Sequence, residues 1–254
     1  MTLKEVLTKY KKPLLAFSGG SDSTYLLYKM KEYCQDFLAA SLIMQSSVTR
    51  DVKNIYNMEE ILGVKVLKKE FNPLEIKEFR ENSKLRCFYC KTHVCSVLNE
   101  IAQKENCDVI FDGTNIDDLK VYRPGLKAKE DGGVISPLAL CGINKETVLK
   151  ELKNIGLPYK ASDSCYATRV AYNEEITLDK LNLIKYCEDF ILDLGVTSVR
   201  CRLSDGNITL DVPKFEQNII FDNREKIVEV FREKGVKTIS LDLEGFVSGK
   251  QDRS

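Results

Sequence analysis

One junction near the start of the chain limits its fold more than any other feature. The apolar run Pro13-Leu14-Leu15-Ala16-Phe17 leads without a linker into Ser18-Gly19-Gly20-Ser21-Asp22-Ser23-Thr24, and a helical pattern follows. A strand of that composition is buried on both faces, as strands are in parallel sheets covered by helices. The alternation continues down the chain. Residues 37–44, 64–67 and 108–111 read as further strands, and 24–33, 49–62, 73–80 and 91–104 as the helices between them. Such alternation requires right-handed crossovers, so the expected fold class is α/β, a doubly wound parallel sheet whose ligand lies beyond the strands' carboxyl ends. The Ser18–Ser23 loop leaves from such an end.

From residue 177 the pattern changes. A helix over 178–192, two strands joined by an Asp205-Gly206-Asn207 turn, a helix over 223–234 and a last strand over 238–243 read as a smaller α+β domain. The expected boundaries are 1–160 for the α/β domain, 161–177 for a cysteine-bearing hinge and 178–254 for the α+β domain, whose tail from 248 reads as frayed. With 254 residues, 43% of them hydrophobic, the chain can bury a core in one or two domains. Its 38 Lys+Arg balance 38 Asp+Glu, which argues against a nucleic-acid partner. The opening MTLKEVLTKYKK is charged and amphipathic, and no apolar run approaches about 18 residues, so neither secretion nor a membrane is expected. Nine cysteines in such a chain read as reduced thiols, metal ligands or chemistry, and the expected compartment is the cytoplasm.

In the loop, Gly19 and Gly20 let the backbone turn sharply and aim its N–H groups inward, the serines add hydroxyls, and the following helix start is partially positive. These features suit a phosphate or pyrophosphate. The spacing is not that of a Walker A loop, which needs a Lys before Ser/Thr. The plainer alternative is a Gly-rich turn with Asp22 or Ser23 capping the helix. The full SGGxDS string resembles the signature of PP-loop ATP pyrophosphatases. That resemblance implies that Ser18, Gly19, Gly20, Ser21, Asp22 and Ser23 bind ATP and that ATP is cleaved between its α and β phosphates. It also gives Asp22 a use, holding Mg²⁺ or orienting the loop.

Cys87 and Cys90 stand in Arg86-Cys-Phe-Tyr-Cys-Lys91 and Cys165 in Ser162-Asp-Ser-Cys-Tyr-Ala-Thr-Arg169. A CxxC opening a helix offers two thiolates to one metal, with the helix start, Arg86 and Lys91 favouring the ionised form. With Cys165 the count suits a [4Fe–4S] cluster held by three residues with one iron open. Buried structural thiols are the alternative. Cys34, Cys107, Cys141, Cys187 and Cys201 fall in helix or strand patterns and read as small apolar filling, and His93 as a helix-surface residue.

Further segments, read in order, narrow the resemblance: Asp112-Gly113-Thr114-Asn115, Asp117-Asp118, Arg123-Pro-Gly-Leu126, Ser136-Pro-Leu138, Cys165 with Arg169, Glu175-Ile-Thr177, Val199-Arg-Cys-Arg202 and Leu241-Asp-Leu-Glu-Gly245. Over nearly the whole chain they resemble the LarE family, the pyridinium-3,5-biscarboxylic acid mononucleotide sulfurtransferases. The resemblance implies that a carboxylate of a small-molecule pyridinium mononucleotide is activated with ATP and takes up sulfur, en route to a nickel-pincer cofactor. Two sulfur sources occur in the family. Either the cysteine at the position of Cys165 gives up its own sulfur and becomes dehydroalanine, or three cysteines hold a [4Fe–4S] cluster that carries a sulfide from an external donor. The family's CLASR stands here as Cys165-Tyr-Ala-Thr-Arg169, which keeps the thiol and the arginine. Cys87 and Cys90 favour the cluster. The resemblance also implies a homo-oligomer built on residues 178–247.

The remaining roles follow from charge and place. Substrate and ATP are anionic, so Arg123, Arg169, Arg200 and Arg202 are candidate clamps, Arg200 and Arg202 sharing one face of a strand. A solvated strand face is the alternative for that pair. Gly113 and Thr114 lie at a strand's carboxyl end, where ATP is expected, and Asp117-Asp118 could cap a helix. Three rivals remain. A tRNA thiolation enzyme is opposed by the zero net charge, by Ser21 where those enzymes often carry Lys, and by the lack of paired CxxC motifs. An ammonia-using synthetase is opposed by the lack of a glutaminase nucleophile, and a non-catalytic nucleotide module would not need Cys165 in the hinge.

Overall fold

The computed structural model describes residues 1–120, 124–158 and 164–246. The chain divides into two compact units, one of Met1–Phe79 with Lys84–Ser164, the other of Arg80–Ser83 with the chain from Cys165 onward.

The first unit runs α1 (Leu3–Thr8), β1 (Pro13–Ala16), α2 (Ser21–Tyr33), β2 (Leu38–Met44), α3 (Thr49–Leu62), β3 (Val66–Phe71), α4 (Lys77–Arg80, whose last residue belongs to the second unit), α5 (Arg86–Lys104), β4 (Val109–Phe111), α6 (Pro124–Asp131), β5 (Val134–Ile135), α7 (Pro137–Leu140) and α8 (Lys145–Asn154). Its five strands form one all-parallel sheet in the order β3-β2-β1-β4-β5, with Leu14 level with Leu38 on one side and Ile110 on the other. Alternate residues feed separate cores. Leu15, Ala39 and Phe111 pack with Leu26, Ile55, Met58, Val148 and Leu152, while Leu14, Ala40 and Ile110 pack with Leu98, Ile101 and Ala102 of α5. This is the expected α/β class, with strands covered on both faces.

Several expected bounds shift for physical reasons. β3 continues past residue 67 through Lys68-Lys69-Glu70 because it is an edge strand, whose half-exposed positions accept charge. The helix expected over 73–80 is a 3₁₀ turn at Pro73–Glu75 followed by the single turn of α4, because Ile76 between them is extended. α5 begins at Arg86, five residues before the expected start at 91. β5 has two residues, too few to show any periodicity.

The second unit holds α9 (Leu178–Asp193), β6 (Arg200–Ser204), β7 (Asn207–Asp211), α10 (Gln217–Asp222), α11 (Arg224–Glu233) and β8 (Ile239–Leu241). Thr177 caps α9 by accepting from the Lys180 N–H at 3.3 Å. β6 and β7 are antiparallel and meet at Asp205-Gly206, both with positive φ (+46° and +77°), the conformation of the tight hairpin turns that follow strand twist. β8 then pairs parallel with β7. The stretch after Cys165, expected as hinge, packs within this unit. Val170 bridges to Leu203, and the buried Asn82 side chain donates to the Val170, Ala171 and Glu174 carbonyls at 3.3, 2.7 and 3.0 Å. The frayed tail expected from 248 lies outside the described residues. No helix among the described residues is long and apolar enough to cross a membrane.

Candidate functional site

At the carboxyl end of β1 the chain turns through Gly19, whose φ of +78° suits glycine and whose absent Cβ would meet the Asp51 carbonyl oxygen at 2.4 Å. Asn54 of α3 donates to the Gly19 carbonyl at 2.6 Å, and Ser41 of β2 to the Phe17 carbonyl at 2.6 Å. Both sides of the turn are therefore fixed by neighbouring elements. Gly20 occupies the cap of α2 and has no side chain to offer its first N–H groups, so the alternative in which Asp22 or Ser23 caps the helix does not hold. Ser23 instead lies inside the first turn, sharing a contact with Ser18 Oγ at 3.1 Å and donating to the Gly20 carbonyl at 2.9 Å. A helix start at a glycine-built turn points partial positive charge outward, the arrangement to which an anion is attracted.

The Asp112–Asn115 segment, at the end of β4, closes the other wall. Gly113 passes so near α2 that a Cβ there would meet the Ser23 nitrogen at 2.7 Å. Burial by itself pushes the Asp112 carboxyl up, but Lys129, Ser136 and Thr114, all bonded to it, outweigh that and hold it below the usual carboxylate range. Lys129 also donates to Thr114 Oγ1 at 2.8 Å, and with Ser136 it borders a cavity of about 470 Å³ beside β5. Asn115 donates to Asp22 Oδ1 at 3.1 Å and accepts from the Asp117 and Asp118 N–H groups at 2.9 and 3.3 Å. Lys145 completes the arrangement, its ammonium donating to Ser21 Oγ at 2.6 Å and to Asp22 Oδ2 at 2.5 Å. Asp117 takes up the capping work that the acidic pair suggested, accepting the first N–H of α8 at 3.0 Å. Its carboxyl is held low by Lys120 and then by that backbone bond. Thus Ser18, Gly19, Gly20, Ser21, Asp22, Ser23, Gly113 and Thr114 gather around one sheet edge. Asn54, Lys129 and Lys145 join them without having been marked by any sequence motif.

Cys87 and Cys90 lie three residues apart in the first turn of α5, on one side of the helix and half-buried. They belong to the first unit and Cys165 to the second. Among the described residues no three His, Cys, Asp or Glu side chains are drawn together as a metal site. Cys165 is half-buried and starts a 3₁₀ turn, Tyr166–Arg169. Its carbonyl accepts from Thr168 N at 3.0 Å, Thr168 Oγ1 at 2.8 Å and Arg169 Nη1 at 3.1 Å, so its backbone is firmly placed. By contrast, burial pushes the Cys34 thiol up to about 11 and the Cys187 thiol to about 12, and it raises Cys95, Cys107, Cys141 and Cys201 as well. Those six are neutral filling.

Arg169 is 1% exposed and pairs with Glu188 of α9, Nε to Oε1 at 2.9 Å, while Glu188 also accepts from the Cys201 N–H at 3.0 Å. The arginine therefore braces the Cys165 turn against α9 and β6. Arg200 and Arg202 do share one face of β6, opposite the buried Cys201 and Leu203. Arg200 stacks on the Phe246 ring at 4.4 Å, and Arg202 donates to the buried Asp211 at 2.5 Å. Arg123 lies outside the described residues.

No protein-family model matches the chain. An uncharacterized protein of Methanocaldococcus jannaschii is 31% identical over 241 residues, spanning 93% of this chain and 91% of its own. The chain belongs to that protein's family. An uncharacterized protein of Synechocystis is similar as well, 28% identical over 99% of this chain and 96% of its own. So is the pyridinium-3,5-bisthiocarboxylic acid mononucleotide synthase of Lactiplantibacillus plantarum, 25% identical over 99% of this chain and 92% of its own. The likeness extends through both units.

Proposed function

We propose that the chain is an ATP-dependent sulfurtransferase of the LarE type, acting on a pyridinium dicarboxylate mononucleotide. The observation that carries the reading is the phosphate loop, with Asp22 held between Asn115 and Lys145, in a chain that also fixes the backbone of a half-exposed cysteine. The full-length likeness to a synthase of the corresponding bisthiocarboxylic acid supports the substrate class.

In the reaction, a substrate carboxylate oxygen attacks the α-phosphorus of ATP. The bond from that phosphorus to the bridging oxygen breaks, and its electron pair leaves with pyrophosphate. Mg²⁺, held by Asp22, would neutralise the phosphates. A sulfur nucleophile then attacks the acyl carbon of the acyl-adenylate, and AMP leaves with the electron pair of the C–O bond. Arg200 and Arg202, on one face of β6, are the proposed anion clamp, Arg202 oriented by its pair with Asp211. Arg169, fully engaged with Glu188 and the Cys165 carbonyl, acts in positioning the cysteine rather than in gripping substrate.

For the sulfur source we propose a [4Fe–4S] cluster held by Cys87, Cys90 and Cys165. The two half-buried thiols one turn apart on α5 fit such a donor set, and when bound the cluster would supply a sulfide on its open iron. The competing route needs Cys165 alone. Its thiolate attacks the acyl carbon and the Cβ–S bond then breaks with loss of the Cα proton, leaving dehydroalanine in the chain and sulfur on the product.

The test is anaerobic turnover with Mg·ATP and the substrate. AMP and pyrophosphate are the expected products, and Asp22→Asn should lower their release at least tenfold. ADP and phosphate as products would overturn the assignment. Loss of sulfur transfer in Cys87→Ala and Cys90→Ala supports the cluster. Full single-turnover transfer by those variants, with the wild-type chain lighter by about 34 Da, would instead establish sacrifice of Cys165.

A further inference from the structure

The lysine at the head of α8 carries an inference that deepens the ATP reading above and rests on it. Lys145 is the first residue of that helix, where the partial positive charge of the helix end disfavours a cation. Its backbone cannot shift easily. Asp117 accepts its N–H at 3.0 Å, Asn144 caps the helix by accepting from Thr147 at 2.8 Å, and the Ile143 carbonyl accepts from Ile116 at 3.0 Å. The side chain, 29% exposed, reaches Ser21 and Asp22 in the first turn of α2, and Asn115 holds the other oxygen of Asp22. A residue that breaks a local rule while its side chain is spent at the phosphate loop marks a functional position.

We propose that Lys145 is a phosphate-site cation that exchanges Asp22 for the β- and γ-phosphates when Mg·ATP binds. A carboxylate oxygen in contact with an ammonium cannot also take a magnesium ion without strong repulsion between the two cations. The triphosphate brings the negative charge that draws the ammonium away and leaves Asp22 to the metal. As the bond to the α-phosphorus breaks, the electron pair stays on the bridging oxygen of pyrophosphate, and Lys145 stabilises that leaving group without gaining or losing a proton. Its flexible stem on a fixed backbone allows the short swing from Asp22 to the phosphates.

Calorimetric titration of the full chain with three probes, Mg·pyrophosphate, Mg·ATP and AMP, tests this. Lys145→Ala should weaken pyrophosphate and ATP binding by about 10- to 100-fold. AMP affinity should stay within about twofold, the Tm within about 2 °C, and Lys145→Arg should recover most of the loss. Unchanged pyrophosphate affinity in Lys145→Ala would overturn the assignment, as would equal weakening of all three probes together with a lower Tm, the mark of a purely structural ion pair. A wild-type chain that binds no Mg·ATP would sink the ATP reading beneath it, which unchanged binding by the variant alone would not.

Discussion

Two glycines of the proposed phosphate site differ in why no other residue fits. Gly19 is barred twice, by its positive φ and by the Asp51 carbonyl, whereas Gly113 has an ordinary φ and is barred only by the α2 backbone beside it. Gly113→Ala should therefore cost about 1–3 kcal/mol by overpacking, and Gly19→Ala more, with loss of nucleotide binding in both. Urea denaturation of the two variants checks the order, and an unperturbed Gly113→Ala would show that the wall between β4 and α2 is loose. Gly19 was readable in the sequence as a turn residue because the Gly-Gly pair stands between a buried strand and a helical pattern. Asn54, Lys129 and Lys145 were not, since each is one ordinary polar residue on a helix and only the sheet order brings it to the loop. Arg169 carried the opposite difficulty. Its charge suggested a ligand, and only the position of Glu188, nineteen residues on, shows what it holds.

At the scale of elements, the Arg169–Glu188 pair joins the Cys165 turn, α9 and β6 in one buried contact, both side chains being almost wholly out of water. Removing one partner of a buried pair leaves the other charge uncompensated. Glu188→Ala should thus destabilise the second unit by about 3–5 kcal/mol, and the double variant Arg169→Met with Glu188→Leu should recover much of that while slowing sulfur transfer. Chemical denaturation and single-turnover assays separate the two effects. If Glu188→Ala unfolds at the wild-type denaturant concentration, the pair is not holding the turn. Elements with strong periodicity were legible in advance, β1, β2, α3 and α9 among them. β5 and the end of β3 were not, because two residues have no period and an edge strand tolerates lysines that a central strand would reject.

Across the whole molecule, the buried thiols set an alkaline limit. Cys187 titrates at about 12 and Cys34 at about 11, against an ordinary 9.0, so the folded chain keeps protons that the unfolded chain releases first. Their stabilising effect is complete below pH 9 and is lost as pH rises through 11 and 12, at up to about 1.4 kcal/mol per pH unit for Cys187. The depressed Asp112 works with the opposite sign, contributing above the ordinary carboxylate pKa of 3.8 and fading as pH falls below it. A Tm profile should be flat between these limits, and Cys187→Ala should soften the alkaline fall. An identical fall in that variant would exclude the thiol as its cause. The strand order has a different consequence, one that concerns synthesis rather than equilibrium. β1 lies at the middle of the sheet, yet one of its neighbours, β4, is made almost a hundred residues later, Leu14 waiting for Ile110. At about 5–20 residues per second, the edge of β1 that pairs with β4 stays unpaired for on the order of ten seconds on the ribosome. The nascent chain is then most exposed to wrong strand pairing at the place where the finished protein is most exacting, and a chaperone that guards emerging apolar strands would act on it there.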